Sequence, residues 1–217
     1  MKNKFVIVPV IFILINVSVF SQSNYSKSFI ISLNSGGFLI SRKNFSETYN
    51  SKLGPTFGFG LGATLSDKIN LFGKATYFSK NGIPSISILN TDNTGHSTIV
   101  TQKSDGTASF KEWLINVGLQ YNLNLSKGLL LGMNVGLTFV YAKEVHNDKT
   151  GKNILNSNAS GLWGFFMGAG MEKRFDKSPF SLFMECQYNF NLYDFFELYT
   201  GFGVVNISIG SRVYIRR

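Results

Sequence analysis

The chain has 217 residues, of which 44% are hydrophobic and only 15% charged. Soluble domains carry about 25% charged residues, so an ordinary soluble globule is a poor fit. The net charge of +9, or 9 − 2 = +7 once Lys2 and Lys4 of an expected leader are removed, comes from scattered lysines and arginines. It lacks the clustered footprint of a nucleic-acid binder, and the single cysteine, Cys186, excludes an internal disulfide framework.

Residues 1–21 read as a secretory signal peptide. Lys2 and Lys4 supply the positive start, Phe5 to Phe20 the apolar stretch, and Val19 and Ser21 the small residues before a cut at Gln22. A cut after Ser23 fits almost as well. Pro9 and Asn16 interrupt the apolar run, which is short for the ~20 residues a membrane helix needs. The remaining domain is then 22–217.

From residue 24 onward, every second residue is apolar along eight successive segments. Phe29, Ile31, Leu33 and Leu39 share one parity in the first, against Ser32, Asn34 and Gly36. A polar connection, Ser41 to Lys52, leads to the second, where Phe57, Phe59, Leu61, Ala63 and Leu65 oppose Thr56, Gly58, Gly60, Gly62 and Thr64. The turn Ser66-Asp67-Lys68 introduces a third segment, Ile69 to Lys80, and a long connection, Asn81 to Ser109, follows. Within that connection Ile83 to Leu89 and Ser97 to Thr101 are strand-like around Thr91-Asp92-Asn93-Thr94-Gly95, which predicts a hairpin prolonging the third and fourth strands.

The fourth segment, Phe110 to Leu123, sets Trp113, Ile115, Val117, Leu119 and Tyr121 against Glu112, Asn116, Gly118, Gln120 and Asn122. After a short turn, the fifth runs from Leu129 to Tyr141 with the clearest alternation. A polar loop, Lys143 to Ala159, precedes the sixth, in which Trp163, Phe165, Met167, Ala169 and Met171 oppose Gly164, Gly168, Gly170, Glu172 and Arg174. Another tight turn, Asp176 to Pro179, leads to the seventh, Phe180 to Asn191. The last puts Val205, Ile207, Ile209, Val213 and Ile215 against Asn206, Ser208, Gly210 and Arg212.

Short connections after the even segments and long ones after the odd segments are the asymmetry of outer-membrane barrels. The expected fold is therefore all-β: an eight-stranded, antiparallel, up-and-down transmembrane barrel, with ten strands as the alternative if the hairpin joins the wall. A soluble barrel would share the period but would have to bury a face too rich in Phe and Tyr for its interior. Both termini then lie on the periplasmic side. Tyr77, Trp113, Tyr141 and Trp163 are expected to form an aromatic girdle at the outer interface, with Tyr121 and Phe175 toward the inner one.

On the lumenal parity stand Lys74, Glu112, Glu172, Arg174, Glu185 and Arg212. Three charges of each sign in a narrow interior are expected to pair, because an unpaired charge there costs several kcal/mol. An eight-stranded interior is just wide enough for side chains to fill it, so a closed, charge-paired lumen is the first expectation and a small-solute or ion-conducting channel the alternative. The run GFGLGA at 58–63 lacks the following helix of a phosphate loop and reads as small lumenal residues that let aromatics or Arg212 pack across. His96 and His146 fall in loops beside Asp92, Ser97 and Asp148, too generic an arrangement to define catalysis. No catalytic residue, metal site or cofactor is expected, and Cys186 reads as a small lipid-facing packing residue.

The phrases YFSKNGIP, FKEWLINVGLQYNL, GLLLGMNVGLTFVYAKE and MECQYNFNLYDF resemble those of the PorT-like class of small Gram-negative outer-membrane barrels, over roughly residues 25 to 217. The resemblance implies insertion by the barrel assembly machinery and carries over no catalytic residues. Many such barrels end in an aromatic residue, whereas this chain ends Val213-Tyr214-Ile215-Arg216-Arg217, so the assembly signal would rest on Tyr214 and Ile215. The resulting expectation is a monomeric, non-enzymatic protein of the bacterial outer membrane. Its partners would be membrane lipids including lipopolysaccharide and, through the outer loops, a possible protein; nucleic acid is not among them.

Overall fold

A computed structural model describes residues 28–41, 45–91, 97–176, 178–191 and 204–216. The expected signal peptide and the connection 192–203 lie outside the described residues. Strand β1 (Ser28–Ile40) is followed by a short helix α1 (Phe45–Tyr49), then β2 (Leu53–Thr64) and β3 (Ile69–Gly82). Two short strands, β4 (Ser85–Thr91) and β5 (Ser97–Lys103), precede β6 (Thr107–Ser126), β7 (Leu129–Asn147), β8 (Asn153–Arg174), β9 (Phe180–Asn191) and β10 (Val204–Arg216).

Eight strands close into a barrel in the order β1-β10-β9-β8-β7-β6-β3-β2, every neighbour antiparallel. The seam between first and last strands is continuous from Ser28↔Arg216 to Ile40↔Val204. The eight-stranded fold is the expected one. Strands β4 and β5 form a separate two-stranded sheet, so the wall does not grow to ten. Between the pairs Gly82↔Ala108 and Ser85↔Lys103 one side advances 85 − 82 = 3 residues and the other 108 − 103 = 5. That mismatch, beside Pro84 with no amide to donate, breaks the ladder, so the hairpin follows the third strand without prolonging it.

Two connections read as polar loops are otherwise. Residues 143–159 are mostly paired strand: β7 and β8 stay hydrogen-bonded to Asn147↔Asn153, with a register shift at Val140/Tyr141. The strands β6, β7 and β8 have 20, 19 and 22 residues, about twice the 9–11 a tilted strand needs to cross a bilayer. Residues beyond the length a spanning strand needs are free of the period-two apolar rule of a lipid-facing wall, while the backbone ladder continues. At the tip, the Thr150 hydroxyl and the backbone amides of Lys152, Thr150 and Gly151 hold the Asp148 carboxyl below its usual pKa.

The second exception is Ser41 to Lys52. It contains α1, which ends at Asn50 in the left-handed region (φ 62°), a common helix stop. The helix folds back into the barrel mouth, with Phe45 and Tyr49 both buried.

Candidate functional site: two side-chain layers across the lumen

Toward the end with the short turns, side chains from several strands meet in one ionic cluster. Lys74 on β3 donates to Glu185 on β9 at 2.6 Å, and Asn134 on β7 donates to the other oxygen of the same carboxylate at 3.1 Å. Arg212 on β10 reaches Glu172 on β8 at 2.5 Å and stands 3.8 Å from Glu185, which joins the two pairs. Arg174 closes on Glu172 at 3.1 Å. Side chains of Glu172, Glu185 and Lys74 are 3%, 6% and 7% exposed, so each charge depends on its partners rather than on water.

Five of the six expected lumenal charges are thus together. Glu112 is not with them: it lies four residues beyond Asn116, the cross-strand partner of Lys74, about 13 Å along the strand. It is buried in the outer layer beside Phe78 and Ala142 in the ladder. Two aromatics extend the cluster. The Tyr214 hydroxyl donates to Glu172 at 2.5 Å and accepts from Arg174 at 2.9 Å. The Arg174 guanidinium lies 4.4 Å from the Tyr214 ring and that of Arg212 4.3 Å from the Phe183 ring, a cation–π arrangement. Tyr214 shares the parity of Arg212, a signal the sequence carried but which its reading as an end-of-chain assembly signal overrode.

The opposite end is apolar. Phe38, Ile40, Phe78, Ala108, Phe110, Leu114, Val140, Ala142 and Val204 on the lumenal face pack around Phe45 and Tyr49 of α1. Phe45 stacks on Tyr49 (ring centroids 4.4 Å) and meets Phe110 edge-on (5.2 Å), while Phe38 stacks on Phe78 (4.8 Å). The plug is pinned: the Tyr49 hydroxyl donates to Glu144 at 3.0 Å and Ile83 N–H donates to the Thr48 carbonyl at 2.9 Å. Lys80 bonds the carbonyls of Ser51 (2.8 Å) and Leu53. Gly82 admits α1 this closely, since a Cβ there would sit 2.2 Å from the Thr48 oxygen.

Between the two layers lies a buried polar belt that includes Asn34, Thr56, Asn116, Thr138, Gln187, Asn206 and Ser208. Phe166 crosses it over Gly118 and Gly136, a cross-strand pair, and meets Phe72 edge-on at 5.7 Å. A Cβ on Gly136 would lie 2.2 Å from the Val117 carbonyl oxygen and 2.8 Å from the Phe166 ring. The expected outcome for Gly136→Val is a chain that fails to show the heat-modifiable folded band on a gel, with Gly73→Val, where a Cβ would meet nothing closer than the Asn116 carbonyl oxygen at 4.0 Å, losing far less. The glycines at 58, 60 and 62 make room mainly for Asn34, Ser32 and Phe72 instead of Arg212. Two cavities adjoin the ionic cluster, of about 10 and 30 Å³, room for about one and about two waters respectively.

The outer wall inverts a soluble protein. Leu33, Phe57, Ile209 and Val135 are 63%, 64%, 63% and 58% exposed, within a belt that encircles the barrel. Tyr77, Trp113 and Tyr141 occupy one cross-strand row on β3, β6 and β7, with the Tyr77 and Trp113 rings 4.8 Å apart. Trp163 lies opposite Phe139, two residues below Tyr141 in the ladder. Cys186 is exposed on the same outer face. His96 is outside the described residues. His146 contacts Glu144 at 3.0 Å, whereas Asp148 is engaged by Thr150 and Lys152 in its own turn, so the two do not form a dyad.

A closed eight-stranded antiparallel barrel with an apolar exterior and a polar, side-chain-filled interior is the fold of small outer-membrane β-barrels. Solved structures agree. Neisserial surface protein A is similar over 87% of this chain and 99% of its own (TM-score 0.54, 12% identity). The outer membrane protein OprG from Pseudomonas aeruginosa is similar over 90% and 99% (0.52, 11%), and a major outer membrane protein from Thermus thermophilus over 88% and 100% (0.55, 9%). At these identities the likeness is one of fold. No protein-family model and no curated protein matches the sequence.

Proposed function

We propose that this chain is a monomeric outer-membrane barrel, exported by its signal peptide and inserted by the barrel assembly machinery. In this reading its lumen is closed, it has no enzymatic role, and it acts structurally or by binding through its outer loops. The resemblance to the PorT-like class is the finer assignment within that reading. The observation that carries it is the double filling of the lumen. An ionic layer of Lys74, Glu172, Arg174, Glu185 and Arg212 stands in series with an aromatic plug folded in from the first loop. The two cavities described beside the ionic layer are of about 10 and 30 Å³, room for water rather than for a passing solute.

Planar-bilayer recording of the refolded protein tests this, with Arg212→Ala beside it. Silence from both is expected, because the plug remains in the variant. Stable, ion-selective steps from the wild type, altered in Arg212→Ala, would replace the sealed barrel with a channel lined by its lumenal charges.

A further inference from the structure

The outer faces of β3, β6, β7 and β8 carry an arrangement the sealed lumen does not use. One step outward from the aromatic row of Tyr77, Trp113 and Tyr141, the ladder aligns Ser79↔Lys111, Lys111↔Lys143 and Lys143↔Asn158. The next row is Asn81, Ser109, Val145 and Asn156. No carboxylate occupies either row or the aromatic one. The acidic chain neighbours, Glu112 and Glu144, are buried on the other face. Lys111 and Lys143 are exposed, and directly opposed like charges weaken a ladder unless something neutralises them.

Their height says what does. Paired residues on one face have Cβ atoms about 4.5–5.5 Å apart, so two ammonium groups can converge on one anion. Two residues of strand cover about 6.6 Å, or about 5 Å of height at the ~40° tilt of such barrels. Aromatic belts sit at the headgroup level; a lysine pair just above one faces the phosphates of the outer leaflet.

Resting on the membrane-spanning reading above, we propose that Lys111 and Lys143, flanked by Ser79 and Asn158, form a binding site for the phosphate of an outer-leaflet lipid. The ligand class is a phosphorylated glycolipid whose acyl chains run down the apolar wall below the aromatic row. The ammonium pair clamps the phosphate, and the hydroxyl and amide supply lateral hydrogen bonds.

The test uses the full mature chain refolded in a neutral detergent. Trp163→Phe is introduced in all samples so that Trp113, adjacent to the site, reports binding by fluorescence. Titrants are bis-phosphorylated lipid A, its dephosphorylated form and inorganic phosphate, against the parent and Lys111→Gln/Lys143→Gln. Phosphorylated lipid A is expected to bind the double variant about thirtyfold more weakly, from about 1 kcal/mol per lysine near a phosphate surface. Each single variant, which bears the test if the double one misfolds, is expected to lose about fivefold. The parent should bind the dephosphorylated lipid no better than the double variant does.

Equal affinity of parent and variants for phosphorylated lipid A would overturn the site. Saturation by inorganic phosphate at the same affinity as by lipid A would reassign it to a free anion and overturn the lipid. Heat-modifiable gel mobility separates the two layers of the argument. A folded parent that ignores lipid A sinks the site alone, whereas a parent with no detergent-folded form sinks the membrane reading and the site together.

Discussion

Glu185→Ala is expected to lower the stability of the refolded barrel by about 3–5 kcal/mol, read as a shift of the urea midpoint in detergent or lipid. The carboxylate is held by Lys74 at 2.6 Å and Asn134 at 3.1 Å, with Arg212 at 3.8 Å. Removing it leaves the 7%-exposed Lys74 with no counter-charge in the described cluster, and the cost is that of a stranded buried charge rather than of one lost contact. The control is the double variant Lys74→Met/Glu185→Leu, which removes both charges and keeps volume. Arg212 retains Glu172 in it, so most of the loss should be recovered. A single variant within about 1 kcal/mol of the parent, the worth of an ordinary exposed pair, or a double variant no better than the single, would show that the cluster does not hold the lumen together.

The plug is the second point of attack. Phe45→Ala removes a side chain that touches Tyr49, Phe78 and Phe110, and truncations of buried Phe cost about 3–5 kcal/mol. Much of that is expected as local opening of α1 rather than global unfolding, since β1 to β10 stay paired without it. In bilayers the single variant should remain silent, because the ionic layer still blocks the other end. Phe45→Ala combined with Arg212→Ala should conduct. Conductance from Phe45→Ala alone would mean that the ionic layer is no seal; silence from the combined variant would mean that the polar belt between them closes the path unaided.

The wall of the barrel was legible because lipid imposes one rule on every outward residue. Phe57, Leu61, Val135 and Ile209 had to be apolar, and the period of two followed. The same rule located Glu172, Arg174, Glu185, Arg212 and Lys74 inside. The lumen obeys no such rule. Phe38, Phe78, Phe110, Leu114 and Val140 sit on the polar parity and complete the plug, yet alternation scored on the lipid face is blind to them. Phe45 and Tyr49, four apart in a stretch otherwise rich in Ser, Lys and Asn, were a helical turn with one apolar face, too short to stand out. The outer halves of β7 and β8 escaped for the opposite reason: backbone pairing persists where the membrane no longer sorts the side chains.

The way the two seals are divided along the chain sets an order of assembly. Apart from Val204, the buried residues of the plug come from positions 38–142, flanked by Leu162 and pinned through Glu144, so the outer mouth is expected to close while the last two strands are still being added. The ionic layer cannot, because Glu185 is on β9 and Arg212 on β10. Until β10 meets β1, across a separation from Ser28 to Arg216 whose loop closure is entropically slow, Lys74 on β3 and Glu185 on β9 lie in distant parts of an open sheet. Glu172 on β8, by contrast, can meet Arg212 once β10 pairs with β9. The final ladder and the Lys74–Glu185 pair are then expected to form together. Glu185→Ala is therefore expected to close more slowly on refolding, read as a delayed heat-modifiable band, and Phe45→Ala to close at the parent's rate with an open mouth.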